Sequence, residues 1–150
     1  MAINILVAIA PLLLGAATGL ATRSDVDSPW YRSLRKPSWM PPRAAFGPVW
    51  TVLYVLMGLA AARVYAKAGP GPAMALFGAQ LLLNIAWSFL FFKVKSLAWA
   101  LADIWALWLV LAATVASFAG IDTVAAVMML PYLAWTTLAT ALTWTLYSTN

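Results

Sequence analysis

Few side chains in this 150-residue chain could do chemistry, and tryptophan is its most frequent aromatic residue. There are nine Trp, while His and Cys are absent and all four acidic residues are Asp. These absences exclude a Ser-His-Asp triad, His- or thiolate-based zinc sites, a thiol nucleophile and a paired-Glu glycosidase centre. We therefore predict no metal site, no required cofactor and no conventional acid–base or nucleophilic centre.

Three polar side chains lie inside strongly apolar stretches of the sequence. Asn84 follows Gln80 by about one helical turn, and Asp103 is the one acidic residue well inside such a stretch. Polar groups at that depth face a bundle interior, so Asn84 either hydrogen-bonds a neighbouring helix or contacts a ligand, and both readings stay open. Asp103 has to be neutral or partnered. We expect it to anchor a basic loop, through Arg43 or through backbone N–H groups of that loop, a role we favour over proton handling.

The tryptophans could form a membrane-interface belt or line a cavity. Trp105, Trp108 and Trp135 lie deepest in the apolar stretches, and the other six lie in a loop or near the ends of the stretches. A belt is the ordinary role of Trp at a membrane interface. Indoles pointing inward would instead border a cavity that stacks a flat aromatic ligand.

The composition predicts that these residues are positioned by membrane-spanning helices. Hydrophobic residues make up 65% of the chain and charged residues 9%, against about 45–50% and about 25% in soluble domains. Five runs are long and apolar enough to cross a bilayer, at 3–21, 45–66, 72–92, 96–118 and 122–147. They are apolar on every side, which favours helices over transmembrane strands. We predict an all-α integral membrane protein, one domain over 1–150, built as an antiparallel five-helix bundle.

The first loop, 22–44, is long and has an unusual composition. It holds five of the nine basic residues and four prolines, with Trp30 and Trp39 among them. Long loops are typically functional or disordered, and interleaved aromatic residues favour a packed segment. We expect this loop to act as a lid.

The basic residues also predict an orientation. Seven of the nine lie in the first and third loops, which places those loops and the C-terminus in the cytoplasm by the positive-inside rule. The net charge of +5 lies mainly beside one membrane face, where it suits anionic lipid headgroups. The chain offers no soluble surface for nucleic acid, and we predict no such partner.

Four segments carry a resemblance to a known family. They read WYRSLRKPSWMPP at 30–42, FGPVWTVLYVLMG at 46–58, AQLLLNIAWS at 79–88 and PYLAWTTLA at 131–139, with Asp103 between the last two. This pattern resembles the TspO/MBR family, which comprises the bacterial tryptophan-rich sensory proteins and the mitochondrial translocator protein, or peripheral-type benzodiazepine receptor.

The resemblance implies a five-helix bundle, commonly a homodimer, with a ligand cavity under the first loop. It implies binding of protoporphyrin IX and other tetrapyrroles, of cholesterol, and of drug-like isoquinoline carboxamides and benzodiazepines. The ligand-binding positions that match by motif are Trp30, Trp39, Trp50, Tyr54, Asn84, Trp87, Trp135 and Ala139. A small-residue dimer face in the third span corresponds to Ala75 and Ala79.

The resemblance leaves three functions open. They are a sensor or translocator that binds tetrapyrroles, a light- and oxygen-dependent enzyme that degrades porphyrin through Trp50 and Trp135, and a small tetrapyrrole or sterol transporter. We favour binding, because no residue set forms a conventional catalytic centre. Sterol binding is in doubt because the end of the last span, 142–150, has no basic residue.

Overall fold

The computed structural model describes residues 2–150, in which six α-helices follow one another. They are α1 Ala2–Ala21, α2 Pro29–Ser33, α3 Arg43–Ala68, α4 Pro72–Ser88, α5 Leu97–Ala119 and α6 Thr123–Thr149. Four of them, α1, α3, α5 and α6, are long and apolar enough to cross a membrane, and so is the continuous helical segment Pro72–Lys93 that begins with α4. No strand occurs in this described part of the chain. The predicted all-α architecture with five membrane-spanning helices is confirmed.

The helix bounds differ from the predicted spans by only a few residues. The largest change is at the third span, where α4 ends at Ser88 and a π-helical turn, Phe89–Lys93, continues it. That turn brings Phe91 into the core, where it is almost fully buried.

The first loop is partly helical. It contains a 3-10 turn, Asp25–Asp27, and the short helix α2. The hydroxyl of Ser28 caps α2 by accepting a hydrogen bond from the Tyr31 N–H at 3.2 Å, and Pro29 occupies the first helical turn, as is usual for helix starts. The loop is thus ordered by two short helical turns, and its residues Trp30 and Tyr31 pack against buried side chains, as expected.

The bundle is held by close packing between helices. The pairs in contact include α1 with α3, α4 with α5, α5 with α6 and α3 with α6. At Gly58 of α3, an added Cβ would lie 2.0 Å from the carbonyl oxygen of Ala8 in α1. Only glycine permits such an approach, and small residues commonly serve this purpose between membrane helices.

Asp122 joins the start of α6 to the end of α3. Its carboxylate accepts a hydrogen bond from the Ala125 N–H at 3.1 Å and pairs with Lys67 at 3.0 Å and Arg63 at 3.1 Å. The Ala125 hydrogen bond, followed by those from Lys67 and Arg63, lowers the pKa of Asp122 to about 2. The carboxylate is therefore ionised although only 2% of the side chain is exposed.

Candidate functional site

A cavity of about 550 Å³ lies between the bundle and the first loop. All five long helices and the loop contribute residues to its walls. Six of the predicted ligand-binding residues border it: Trp50, Tyr54, Asn84, Trp87, Trp135 and Ala139. They come from α3, α4 and α6, so tertiary packing brings together residues that are as much as 89 positions apart in the sequence.

Aromatic rings form much of the wall on the α3 and α6 side. The Trp50 ring lies 5.5 Å from the Tyr54 ring, tilted by 32°, and meets Tyr132 edge-on at 6.0 Å. Trp135 meets Phe46 edge-on at 5.7 Å. Contacts of this kind hold each indole in one orientation, so the cavity has a fixed aromatic shape.

A buried chain of hydrogen bonds runs beside the cavity through three helices. The Tyr54 hydroxyl donates to Asn84 Oδ1 at 2.6 Å, and Asn84 Nδ2 donates to the Tyr132 hydroxyl at 2.7 Å. The Tyr132 hydroxyl then donates to Gln80 Oε1 at 2.8 Å. Asn84 therefore links helices and also borders the cavity, so both of its predicted roles are compatible with one geometry.

The loop tryptophans lie elsewhere than predicted. Trp30 packs edge-on against Phe91 with ring centroids 5.5 Å apart, and Trp39 is 48% exposed. Neither borders the cavity, whereas their chain neighbours Tyr31 and Met40 do. Trp30 and Tyr31 both pack edge-on against Phe91, which itself borders the cavity, but only Tyr31 reaches the cavity directly.

Several contacts fasten the loop to the bundle. The amide of Asn150 accepts from the Arg35 N–H at 2.9 Å and donates to the Arg35 carbonyl at 3.1 Å. Lys93 pairs with Asp25 at 2.7 Å, which joins the first loop to the end of the π-helical turn. The loop is thereby held over the cavity from two sides.

Comparison with known proteins identifies the family. The TspO/MBR family model matches residues 7–148. The chain belongs to the TspO/MBR family. It is 46% identical to a tryptophan-rich sensory protein of Cereibacter sphaeroides over 127 residues, covering 85% of this chain and 78% of that protein.

More distant TspO/MBR relatives cover similar shares. The tryptophan-rich protein TspO of Chlorobaculum tepidum is 37% identical over 89% of both chains. The human translocator protein is 36% identical over 81% of this chain and 75% of its own length. With its five long apolar helices, this TspO/MBR chain is a multi-pass integral membrane protein of the sensor and translocator type.

The predicted loop anchor between Asp103 and Arg43 is not formed in this TspO/MBR chain. Arg43, at the start of α3, pairs instead with Asp27 at 2.6 Å. Asp27 lies in the first loop close to Arg43, so the guanidinium group finds a carboxylate without reaching into the bundle towards Asp103. The Arg43 hydrogen bond lowers the pKa of Asp27. Asp103 is buried, and its Oδ2 has no hydrogen-bond partner among residues 2–150.

Sequence reasoning missed several residues that border the cavity, among them Gly15 and Thr136. An added Cβ on Gly15 would lie 2.3 Å from the Tyr54 ring, so this glycine in α1 makes room for an aromatic wall residue. The sequence did offer a sign of this contact, because a glycine inside an apolar span often marks a close approach between helices. No feature of the sequence singled out Thr136, because α6 contains several threonines and only the packing of the helices decides which of them face inward.

The remaining tryptophans mostly face outward. Trp99, Trp105 and Trp144 are exposed on the helix surfaces. Trp108 donates its indole N–H to the Thr137 hydroxyl at 2.9 Å, which satisfies that polar group between α5 and α6. These four tryptophans therefore suit a position at the membrane interface or against lipid. Only three of the nine tryptophans, all of which lie in the described part of the chain, border the cavity: Trp50, Trp87 and Trp135.

Proposed function

We propose that this membrane-embedded protein binds a flat tetrapyrrole such as protoporphyrin IX, or a drug-like hydrophobic ligand, in the cavity beneath the first loop. The observation that carries the proposal is the position of Trp50 and Trp135 on the border of a cavity of about 550 Å³. Small-molecule sites are typically concave, mostly apolar and about 300–1,000 Å³ in volume.

The chemistry of a porphyrin suits these surroundings. Its broad π-system can stack on indole and phenol rings, which supply large apolar area in fixed orientations. Tyr54 donates its hydroxyl proton to the Asn84 amide oxygen, so this hydroxyl beside Trp50 is not left without a partner when an apolar macrocycle binds. The bound state would gain mainly from apolar burial.

The two carboxylates of a porphyrin would lie at the loop end of the cavity. Arg23 and Arg43 border the cavity there, and guanidinium groups pair with carboxylates in bidentate geometry. Lys36, another basic residue of the first loop, instead donates to the Tyr31 and Leu34 carbonyls. We therefore assign the carboxylate contacts to Arg23 and Arg43.

A titration of detergent-solubilised protein with protoporphyrin IX in the dark tests the proposal. Trp50→Ala and Trp135→Ala each remove a stacking wall, so we expect the dissociation constant to rise about tenfold or more. Trp99→Ala is the matched control, because Trp99 is 66% exposed and lies outside the cavity. Following the Soret band of the porphyrin avoids a readout that depends on the number of tryptophans. Equal affinities in all four proteins would contradict the proposal.

We also propose a homodimer through α4. Ala75 and Ala79 are exposed, one helical turn apart on that helix, and small residues at this spacing let two membrane helices approach closely. Ala79→Trp should shift the protein from dimer to monomer in analytical ultracentrifugation. Ala134→Trp, on the exposed side of α6, should leave the mass unchanged. A dimer that persists in the Ala79 variant would exclude this face.

A further inference from the structure

Thr136 differs from the other threonines in the body of α6. Thr137, Thr140, Thr143, Thr145 and Thr149 each donate their hydroxyl to the backbone carbonyl four residues earlier. Thr136 does not, and its Oγ1 has no hydrogen-bond partner among residues 2–150 although the residue is 1% exposed. A buried hydroxyl without a partner costs about 1–3 kcal/mol, so its orientation calls for an explanation.

Trp87 presents a second buried polar group without a partner. Its ring stacks on Phe91 with centroids 4.8 Å apart and planes 20° apart. This stacking fixes the indole, and its Nε1–H has no acceptor within the described chain. Indole N–H is only a donor, so whatever satisfies it has to supply an acceptor.

Both groups belong to the same region of the cavity. Trp87 and Thr136 each border it, and Trp87 packs with Ala139 against a cluster of buried leucine and isoleucine side chains on α5. Thr136 precedes Ala139 by three residues and therefore lies on the same face of α6. The two polar groups are thus set in an apolar wall formed by α4, α5 and α6.

The charges around the cavity limit what this wall can accept. Arg23 and Arg43 are the charged residues that border it within 2–150, and both belong to the loop end. A carboxylate against the α4–α6 wall would lose its hydration without gaining a cation, which is costly. A neutral acceptor avoids that cost.

We propose that the Trp87 N–H and the Thr136 hydroxyl form a specificity site for a neutral carbonyl oxygen of the ligand. The inference rests on the proposed function and deepens it. Among flat tetrapyrroles, the cavity favours those that carry a ketone or amide carbonyl over analogues without one. A site built around buried hydrogen-bonding groups discriminates against a ligand that leaves them unpaired.

Two matched pigments test this site. Pyropheophorbide a carries a ring ketone, and in its deoxo analogue a CH₂ replaces that ketone. We expect wild-type protein to bind the ketone about 25- to 100-fold more tightly, since each of the two hydrogen bonds to the carbonyl oxygen contributes about 5- to 10-fold. Thr136→Val keeps the shape and removes the hydroxyl, so the preference should shrink. Thr143→Val is the matched control, because Thr143 also borders the cavity but its hydroxyl is already bonded to the Ala139 carbonyl.

A spectroscopic measurement reports on the tryptophan directly. The indole ¹⁵N–¹H resonance of Trp87, assigned with Trp87→Phe, should lie further downfield in the ¹H dimension with the ketone than with the deoxo analogue, because both macrocycles contribute a similar ring-current shift and only the ketone adds a hydrogen bond. Binding of both pigments with no preference, or with a preference unchanged by Thr136→Val, overturns this inference and leaves the proposed function standing. Failure of wild-type protein to bind either pigment overturns both.

Discussion

At the scale of single residues, Tyr132 is the centre of the buried polar core. It accepts a hydrogen bond from Asn84 and donates one to Gln80, and its side chain is fully buried. A single hydroxyl on α6 therefore makes hydrogen bonds to two side chains of α4. Such bonds fix the relative position of two helices as well as contributing energy.

Tyr132→Phe removes this hydroxyl while keeping the ring. We expect the free energy of unfolding in detergent to fall by about 1 kcal/mol, since polar bonds between membrane helices contribute about that much. Thermal unfolding followed by circular dichroism measures the change. Tyr147→Phe, on an exposed tyrosine, controls for loss of a phenol and should leave the transition unmoved. An unchanged midpoint in the Tyr132 variant would show that the hydroxyl contributes nothing to stability.

At the scale of elements, Asp122 is both the N-cap of α6 and the ionic partner of α3. The Ala125 hydrogen bond favours the charged carboxylate, as do Lys67 and Arg63. A carboxyl group whose pKa is lowered by folding stabilises the folded state above its ordinary pKa. That contribution is lost as pH falls through the folded value.

Asp122→Asn keeps a cap acceptor and removes the charge. We expect the variant to be less stable than wild type at pH 7, and the difference to shrink as pH falls from the ordinary pKa of 3.8 towards about 2. Thermal unfolding of both proteins across this range measures the difference, and other titrating aspartates cancel in the comparison. A gap that stays constant with pH would show that the charge of Asp122 is not the cause.

At the scale of the whole molecule, the first loop is fixed to the bundle by residues distant in sequence. Asn150 bonds the Arg35 backbone through both ends of its amide, and Lys93 pairs with Asp25. These contacts are near the surface and individually weak. They oppose opening of the loop without making it permanent, which suits a lid that a ligand has to pass.

Asn150→Ala removes the amide that holds Arg35. We expect amide hydrogen exchange in the loop segment 29–40 to accelerate about fivefold, since losing two exposed hydrogen bonds that together contribute about 1 kcal/mol raises the open population by that factor. Ser148→Ala, whose hydroxyl bonds only the Thr145 carbonyl in the described chain, is the control. Exchange that matches wild type in the Asn150 variant would mean that other contacts hold the lid.

The sequence by itself determined that this is a membrane protein of five spanning helices, and it predicted six of the residues that border the cavity. An apolar run of sufficient length has one stable structure in hydrocarbon, because every backbone group has to be hydrogen-bonded within the segment. The motif around Trp50, Asn84 and Trp135 carried the resemblance that assigned them to one pocket, and all three border the cavity.

Only the tertiary structure decided which neighbouring residue faces inward and which charges pair. Tyr31 borders the cavity and Trp30 does not, although both rings pack edge-on against Phe91. Arg43 reaches Asp27 rather than Asp103, and Thr136 alone among its close neighbours on α6 leaves its hydroxyl unpaired. Such outcomes depend on side-chain direction and on the nearest available partner, which are set by packing in three dimensions and leave no periodic trace in the sequence.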